Sequence, residues 1–259
     1  MFRAPRRTAL LAAGLALVLV APASVSANHS WGGYHWARTS NPFTVKLGNN
    51  VTSAWDSILK TTSSDWTTSS VLDTTVVSGS AARAKQCRAS AGTVQVCNAT
   101  YGNNGWLGVA SISITGGTHI TQATVKVNDT YFNTPTYDTV AWRNLVMCQE
   151  VGHTFGLDHQ DVNFTNANLD TCMDYTNDPT SNQHPNKHDY DELVIIYSHL
   201  DSTTTLASPT ATKGGPSGNA APAGWGRLVA VTNAGHGATY LLDLGAGNLV
   251  LTHVLWAGR

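Results

Sequence analysis

Residues 149–159 read Gln-Glu-Val-Gly-His-Thr-Phe-Gly-Leu-Asp-His, and the interpretation of the whole chain depends on this stretch. Gln149 and His153 are four residues apart, so on a helix their side chains lie one turn apart, a span that one metal ion can bridge. Glu150 is rotated by about 100° from Gln149 around the helix axis, and its carboxylate can therefore approach the metal without ligating it. The spacing predicts a metal site with an acidic residue beside it.

A turn after this helix supplies the next candidate ligand. The apolar spacing predicts a helix from about residue 139 to residue 155, with Asp138 as its N-cap. Gly156 follows, and glycine readily adopts the left-handed conformation that ends many helices. The chain can then turn sharply, so that His159 returns to the metal. We therefore expect His153 and His159 to bind the metal through their imidazole nitrogens.

Further along the chain, Cys172-Met173-Asp174-Tyr175 adds a second motif. The helical stretch matches the pattern H-E-x-x-H-x-x-G-x-x-H except at Gln149. Together the two motifs make the chain from about residue 43 to residue 200 resemble the metzincin zinc peptidases, most closely secreted bacterial matrixin-like peptidases. The resemblance implies an α+β fold with a mixed sheet of roughly five strands, an active-site helix, a methionine turn at Met173 and a C-terminal helix. It also implies that Tyr175 is a switchable metal ligand and stabilises an oxyanion.

The function implied by this resemblance is that of a secreted endopeptidase with one catalytic Zn²⁺. Zinc would polarise the scissile carbonyl and activate water, and Glu150 would take the water's proton and pass it to the leaving amine. The substrate would be an extended polypeptide that pairs antiparallel with an edge strand. The alternative is a secreted binding or adhesion protein on the same scaffold, without catalysis. Neither specificity nor activation is indicated by the sequence.

Gln149 is the main departure from the family pattern. An amide oxygen is a weaker zinc ligand than an imidazole, and the NH₂ group of the amide needs a separate partner. In one interpretation Gln149 ligates through its oxygen, with Tyr175 and water completing the shell. In a second, it points away and another side chain joins His153 and His159. In a third, the site binds metal poorly. The presence of Glu150 favours an active enzyme, because a site without catalysis has little need of a base.

The other candidate ligands rest on spacing alone. His184 and His188 have an H-x-x-x-H spacing, but Pro185 breaks any helix between them, and Asp189 is expected to cap the next helix. Asp158 is interpreted as an ordinary turn residue, with orientation of an imidazole or contact with the metal as the alternatives. The remaining histidines have no partner at ligand spacing and are interpreted as ordinary residues: His29, His35, His119, His199, His236 and His253.

Two features of animal matrixins are absent from the sequence. The propeptide motif P-R-C-G-x-P-D does not occur, so latency by a cysteine that caps the zinc is not expected. The loop with aspartate and histidine that binds structural zinc and calcium is not recognisable between residues 116 and 129. The sequence therefore leaves Ca²⁺ binding undecided.

Composition and the N-terminal residues indicate the compartment. The net charge of −1 provides no basic surface for nucleic acid or an anionic membrane, so we expect neither as a partner. Residues 1–27 combine arginines, a short apolar run and small residues before Asn28, which is the pattern of a signal peptide. The run is too short for a membrane span. The mature chain is expected to be secreted, and its oligomeric state is not indicated.

Secretion favours disulfide bonds over free thiols. The four cysteines allow three pairings. Cys87 and Cys97 flank a short turn that contains glycine, which suggests that they staple a hairpin. A bridge between Cys148 and Cys172 would tie the active-site helix to the loop beneath it.

Periodicity divides the chain into a large unit and a tail. Residues 28–201 are predicted to form the catalytic domain, and residues 202–223, rich in Ser, Thr, Pro and Gly, are predicted to be a linker. Residues 224–259 alternate like strands but are too few for a core of their own. Within the large unit, strands are predicted near 43–47, 71–77, 93–97, 105–114 and 119–127, and further helices near 51–66 and 189–200.

Overall fold

The computed structural model describes residues 28–206, 222–232 and 235–258, besides Met1. The signal peptide expected over residues 1–27 and most of the linker expected over residues 202–223 lie outside the described residues. The described part of the chain has an α+β fold, in which one mixed sheet of nine strands packs against the helices.

Five strands of the sheet coincide with the predicted ones. They are β2 (Phe43–Asn50), β3 (Leu72–Ser78), β4 (Thr93–Ala99), β5 (Trp106–Thr115) and β6 (His119–Asn128). Their order is β3-β2-β4-β6-β5, and all neighbours are parallel except β5, which runs antiparallel to β6. A two-residue strand, β1 (His35–Trp36), pairs in parallel with the start of β6.

The tail extends this sheet beyond β5. Its strands are β7 (Arg227–Val231), β8 (Gly237–Gly245) and β9 (Asn248–Trp256), and β9 pairs antiparallel with β5 from Trp106 to Ile114. The expected count of roughly five strands was therefore too low, because the tail joins the same sheet. Leu251 and Leu255 of β9 enter the main core, whereas Val254 joins a smaller cluster on the other face of the sheet with Trp106 and Val109.

The helices are α1 (Ser53–Trp66), α2 (Asp129–Phe132), α3 (Val140–His153) and α4 (Lys187–Ile196). Helices α1 and α3 pack against each other, and α3 also packs against β5 and β6. The core that joins them is rich in fully buried aromatic side chains, each of which contributes about 2–3 kcal/mol by leaving water. The largest are Trp36, Trp55, Trp66, Tyr197, Phe132 and Phe155.

The N-caps of α3 and α4 are not the residues that the sequence predicts. Thr139 caps α3, and its side chain accepts a hydrogen bond from a first-turn amide at 3.2 Å. Asp138 lies one residue outside the helix and pairs with Arg143 at 2.8 Å. Asn186 caps α4, and Asp189 completes a capping box by accepting the Asn186 backbone amide at 2.8 Å. In both cases several side chains with oxygen atoms lie near the start of the helix. Their positions in the sequence do not show which of them is the N-cap.

The two expected disulfides are present. Cys87–Cys97 and Cys148–Cys172 each have a Cα–Cα distance of 5.9 Å, and the described residues include no free cysteine. The second bridge connects α3 to the segment that contains Met173. A disulfide typically stabilises a fold by about 2–4 kcal/mol, largely by restricting the unfolded chain.

We predict that the stability of the fold rises with pH because of Lys126 on β6. Burial lowers the pKa of Lys126 to about 8, so the unfolded chain binds more protons than the folded chain above that pH. With an unfolded pKa of about 10.4, stability should increase by about 2 kcal/mol between pH 7.5 and pH 9.5. Urea unfolding at the two pH values measures this change.

The Lys126→Met variant should remove this pH dependence, because its side chain does not titrate. Lys46→Met is the matched control, since Lys46 is exposed on the neighbouring part of the same sheet. If the free energy of unfolding of Lys126→Met rose with pH as much as that of the wild type, the pH dependence would not come from Lys126.

Candidate metal centre

The end of α3 and the turn after it bring His153 and His159 together. Gly156 has φ of +94°, and a Cβ atom there would lie 2.0 Å from the backbone oxygen of Tyr34, so only glycine fits. After this turn His159 folds back, and the Nε2 atoms of the two histidines are 3.2 Å apart. Both side chains are buried. The structure thus places the two predicted imidazole ligands at one point.

Hydrogen bonds fix both rings with their Nε2 lone pairs facing each other. His153 donates from Nδ1 to the Leu157 carbonyl oxygen at 2.9 Å, and His159 donates from Nδ1 to Asp158 Oδ1 at 3.1 Å. Burial alone would raise the pKa of Asp158, but its hydrogen bond with His159 lowers this pKa to about 2, so the carboxylate remains an acceptor. Asp158 therefore orients an imidazole, which was one of the alternatives to an ordinary turn residue. Such outer partners are typical of histidines that ligate metals.

Gln149 is buried beside this pair with one polar atom unsatisfied. Its Nε2 donates to the Cys172 carbonyl oxygen at 2.9 Å, whereas its Oε1 has no hydrogen-bond partner among the described residues. Leaving such an atom without a partner costs about 1–3 kcal/mol. The amide nitrogen thus has the separate partner that ligation through oxygen requires, and the oxygen is free to bind a cation.

The segment from Cys172 to Tyr175 lies directly under α3. A Cβ atom at Gly152 of α3 would lie 2.7 Å from Met173 Sδ, so Met173 packs against the helix where glycine leaves room. The Tyr175 ring stacks on the His159 ring, with centroids 4.1 Å apart. Met173 therefore lies under the last turn of α3, and Tyr175 lies against one ring of the histidine pair.

Glu150 is fully buried next to the same pair. A Cβ atom at Gly108 of β5 would lie 2.6 Å from Glu150 Oε1, so this glycine makes space for the carboxylate. Burial raises the pKa of Glu150 well above its usual value, while His159 and the backbone amide of Ala110 oppose that shift. Burial likewise lowers the pKa of His153, which favours the neutral imidazole that a metal needs.

A third histidine, His253 on β9, completes the group. Each of His153, His159 and His253 offers a nitrogen within 4.8 Å of the others. The sequence predicts an ordinary surface or half-buried residue at position 253, whereas His253 is buried against this group. The missed indication was the two-residue period of Leu251, His253 and Leu255, which places all three on the core face of the strand.

His253 is bonded to both groups that are expected to take part in catalysis. Burial lowers the pKa of His253 and raises that of Tyr175. His253 Nε2 lies 2.7 Å from the Tyr175 hydroxyl, and His253 Nδ1 lies 3.2 Å from Glu150 Oε2, so each ring nitrogen takes part in one hydrogen bond. With these bonds in place, both ring nitrogens of His253 already have partners.

A cavity of about 240 Å³ opens beside the centre. Its lining combines apolar and aromatic side chains with polar ones, the latter including Gln149, Asp174, Thr176 and Asn177. The tail forms one wall, so the cavity lies between the large unit and β9. The principal lining residues are Leu107, Trp142, Leu145, Gln149, Tyr175 and Leu255.

His184 and His188 lie outside this group. His184 pairs with Asp65 at 2.7 Å, and the His188 ring stacks on His29 at 4.8 Å. Neither belongs to the histidine groups found among the described residues, so the spacing between them does not supply a replacement ligand.

Comparisons of the sequence with protein-family models and with curated proteins find no match. Among the residues that the structure describes, no helix has both the length and the apolar character needed to cross a membrane.

We predict that Gly156→Ala destabilises the fold far more than a change at another left-handed glycine. Gly116 also has positive φ, at +60°, but a Cβ there meets nothing within 4 Å. Gly116→Ala should cost only the conformational penalty of about 1–2 kcal/mol. Gly156→Ala adds the clash with Tyr34 and should cost several kcal/mol, with loss of metal binding. Thermal unfolding of the two variants compares them, and equal effects would show that the clash is relieved.

Proposed function

We propose that this chain is a secreted zinc endopeptidase of metzincin architecture, whose cleft is occupied by its own C-terminal strand. The observation that carries the proposal is the pair of buried imidazole lone pairs, on His153 and His159, beside the carboxylate of Glu150. Two lone pairs that face each other at 3.2 Å repel unless a cation or a proton lies between them. Imidazole donors in a dry, enclosed setting suit zinc.

The donor set fits zinc with Gln149 as the third protein ligand. Its unsatisfied buried oxygen supports this assignment over His253, because both nitrogens of His253 have hydrogen-bond partners. Two imidazoles and one oxygen leave a fourth coordination position open, which is the arrangement of catalytic zinc sites. Zinc bound there would supply a Lewis acid for the scissile carbonyl.

The chain's own groups would carry out the proton transfers. Glu150 would accept a proton from the attacking water and pass it to the leaving amine. The Tyr175 hydroxyl would donate a hydrogen bond to the carbonyl oxygen as that oxygen gains negative charge. The cavity next to Gln149 and Tyr175 would receive a substrate side chain.

The substrate would be an extended polypeptide that pairs antiparallel with β5. In the structure β9 occupies this position, and its His253 takes the hydrogen bonds of Glu150 and Tyr175. A tethered strand acts at an effective concentration of about millimolar, so a free substrate competes with it poorly. The intact chain is thus proposed to be latent, and displacement of the tail is the activating step.

The occupied edge of β5 also favours the alternative of a binding protein without catalysis. In that case β9 is a permanent part of the sheet and the metal serves stability alone. Untethering the tail distinguishes the two functions, because only the peptidase should gain activity.

We expect cutting of the linker to activate the enzyme. A recognition sequence for a specific protease is placed within residues 207–221, and cleavage of labelled casein by zinc-loaded protein is measured before and after the cut. Cutting removes the tether but no side chain of the cleft, so the rate should rise at least about tenfold. Glu150→Ala in the cut protein should lower it by at least about 100-fold.

The tail obstructs the site in two ways: β9 pairs with β5, and His253 bonds Glu150 and Tyr175. The His253→Ala variant of the uncut chain separates them, because it frees Glu150 and Tyr175 while β9 stays paired. Thr252→Ala is its matched control, because Thr252 points to the opposite face and bonds Ser111 at 2.9 Å. Absence of casein cleavage in every zinc-loaded form would refute the peptidase and leave the binding protein.

A separate prediction concerns the identity of the third zinc ligand. In a crystal structure of the zinc-loaded protein, Gln149 Oε1 should lie about 2.0–2.2 Å from the ion, the usual distance for a zinc–oxygen bond. Gln149→His should tighten zinc binding, because imidazole is the stronger ligand. A His253 nitrogen at about 2.0–2.1 Å from the ion, with Gln149 remote, would assign the third position to the tail instead.

A further inference from the structure

Four side chains from distant parts of the sequence converge where β1 pairs with the start of β6. His35 belongs to β1, His119 begins β6, and His199 and Asp201 come after α4. His35, His119 and Asp201 each place a donor atom within 4.8 Å of the others, and His199 adds contacts with His35 and Asp201. The separations are 3.1 Å for His35–His199, 3.2 Å for His119–Asp201, 3.6 Å for His35–Asp201 and 3.8 Å for His199–Asp201. The sequence shows no partner at ligand spacing for these histidines, and only the fold brings them together.

We propose that these four side chains form a second metal site, which binds Zn²⁺ through three imidazole nitrogens and one carboxylate oxygen. Zinc ligands at about 2.0–2.1 Å in a tetrahedron are about 3.3 Å from one another. Four of the six donor pairs, at 3.1–3.8 Å, lie close to this value. The mutually close donors are those of His35, His119 and Asp201, so the exposed His199 ring would turn inward to complete the tetrahedron. Three imidazoles with one carboxylate are also a donor set that zinc accepts.

Neighbouring groups hold the donors in the orientation that ligation needs. His35 donates from Nδ1 to the Gly33 carbonyl oxygen at 2.7 Å, so its Nε2 carries a lone pair. Arg38 binds the other oxygen of Asp201, Oδ2, through Nη1 at 2.9 Å and through its backbone amide at 3.2 Å. Arg38 also donates to the His199 carbonyl oxygen. One arginine thus positions both ligand-bearing residues after α4 and leaves Asp201 Oδ1 directed at the imidazoles.

Hydrogen bonds within the group account for only part of this geometry. A proton on His199 Nε2 would satisfy its contact with His35, and one on His119 would satisfy its contact with Asp201. The approaches of His35 and His199 to Asp201 Oδ1, at 3.6 Å and 3.8 Å, would then remain without a bond. One central cation would hold the donors of His35, His119 and Asp201 together, with His199 as the fourth ligand from the open side.

The site is accessible to an ion and suited to a structural role. The side chains of His119 and His199 are 35% and 51% exposed, whereas those of His35 and Asp201 are almost buried, so the ion enters from one open side. Four protein ligands leave no open position, which is typical of structural zinc. The ion would tie the N-terminal segment and the end of α4 to the sheet.

Elemental analysis of the full-length protein, loaded with Zn²⁺ and dialysed, tests the proposal. His199→Ala should lower the bound zinc by one ion per chain relative to the wild type, because it removes one of four ligands from an exposed position. Titration should show that affinity for this ion falls at least about 100-fold, beyond the 10–100-fold effect of losing an outer partner. Removing the ion with a chelator should lower the thermal midpoint of the wild type more than that of His199→Ala.

His184→Ala is the matched control, since His184 is an equally exposed histidine, at 52%, that pairs with a single aspartate. It should bind as much zinc as the wild type. His119→Ala provides a second variant and should reproduce the loss seen in His199→Ala. Zinc contents of the His199→Ala and His119→Ala variants equal to that of the wild type would overturn the proposal. The expected result is a difference of one ion, and it is therefore independent of whether the centre at His153 binds zinc.

Discussion

Two imidazole nitrogens face each other at 3.2 Å in the interior of this protein, and the surrounding chain is arranged to keep them there. The Leu157 carbonyl and the Asp158 carboxylate fix the two rings from outside. The glycine turn at Gly156 sets the direction from which the second ring returns, and the Cys148–Cys172 bridge fastens the underlying segment to the helix. Removing any of these supports would relax a contact that is unfavourable without a cation. A bound metal would turn the same contact from a repulsion into a pair of coordinate bonds.

The local part of this arrangement can be predicted from the sequence. Helical spacing, a glycine that ends a helix and a methionine turn act over a few residues, so their positions in the sequence are enough to place His153, His159, Met173 and Tyr175 near one another. The disulfide pairs are equally local in character, because each joins elements already expected to be adjacent. Strand positions in β2–β6 can also be predicted from alternation, although helix caps were misplaced by one to three residues.

The remaining part depends on pairing between distant strands. His253 reaches the centre because β9 aligns with β5 in one particular register, and a shift of one residue would turn it to the opposite face. His35, His119 and Asp201 meet through the pairing of β1 with β6 and through Arg38. The composition of a short segment shows neither the register of two paired strands nor which distant residues come into contact. A histidine in a strand that alternates with buried leucines is the one local indication that was available.

The pairing of β9 with β5 also has a consequence for the order of events during synthesis. A chain grows from its N-terminus, and domains generally fold as their residues emerge. The strands and helices up to residue 201 are made before any residue of β9. Closing the loop between β5 and β9 spans well over a hundred residues and is correspondingly slow. The cleft therefore forms before the strand that covers it, so in each newly made molecule His153 and His159 face water for an interval.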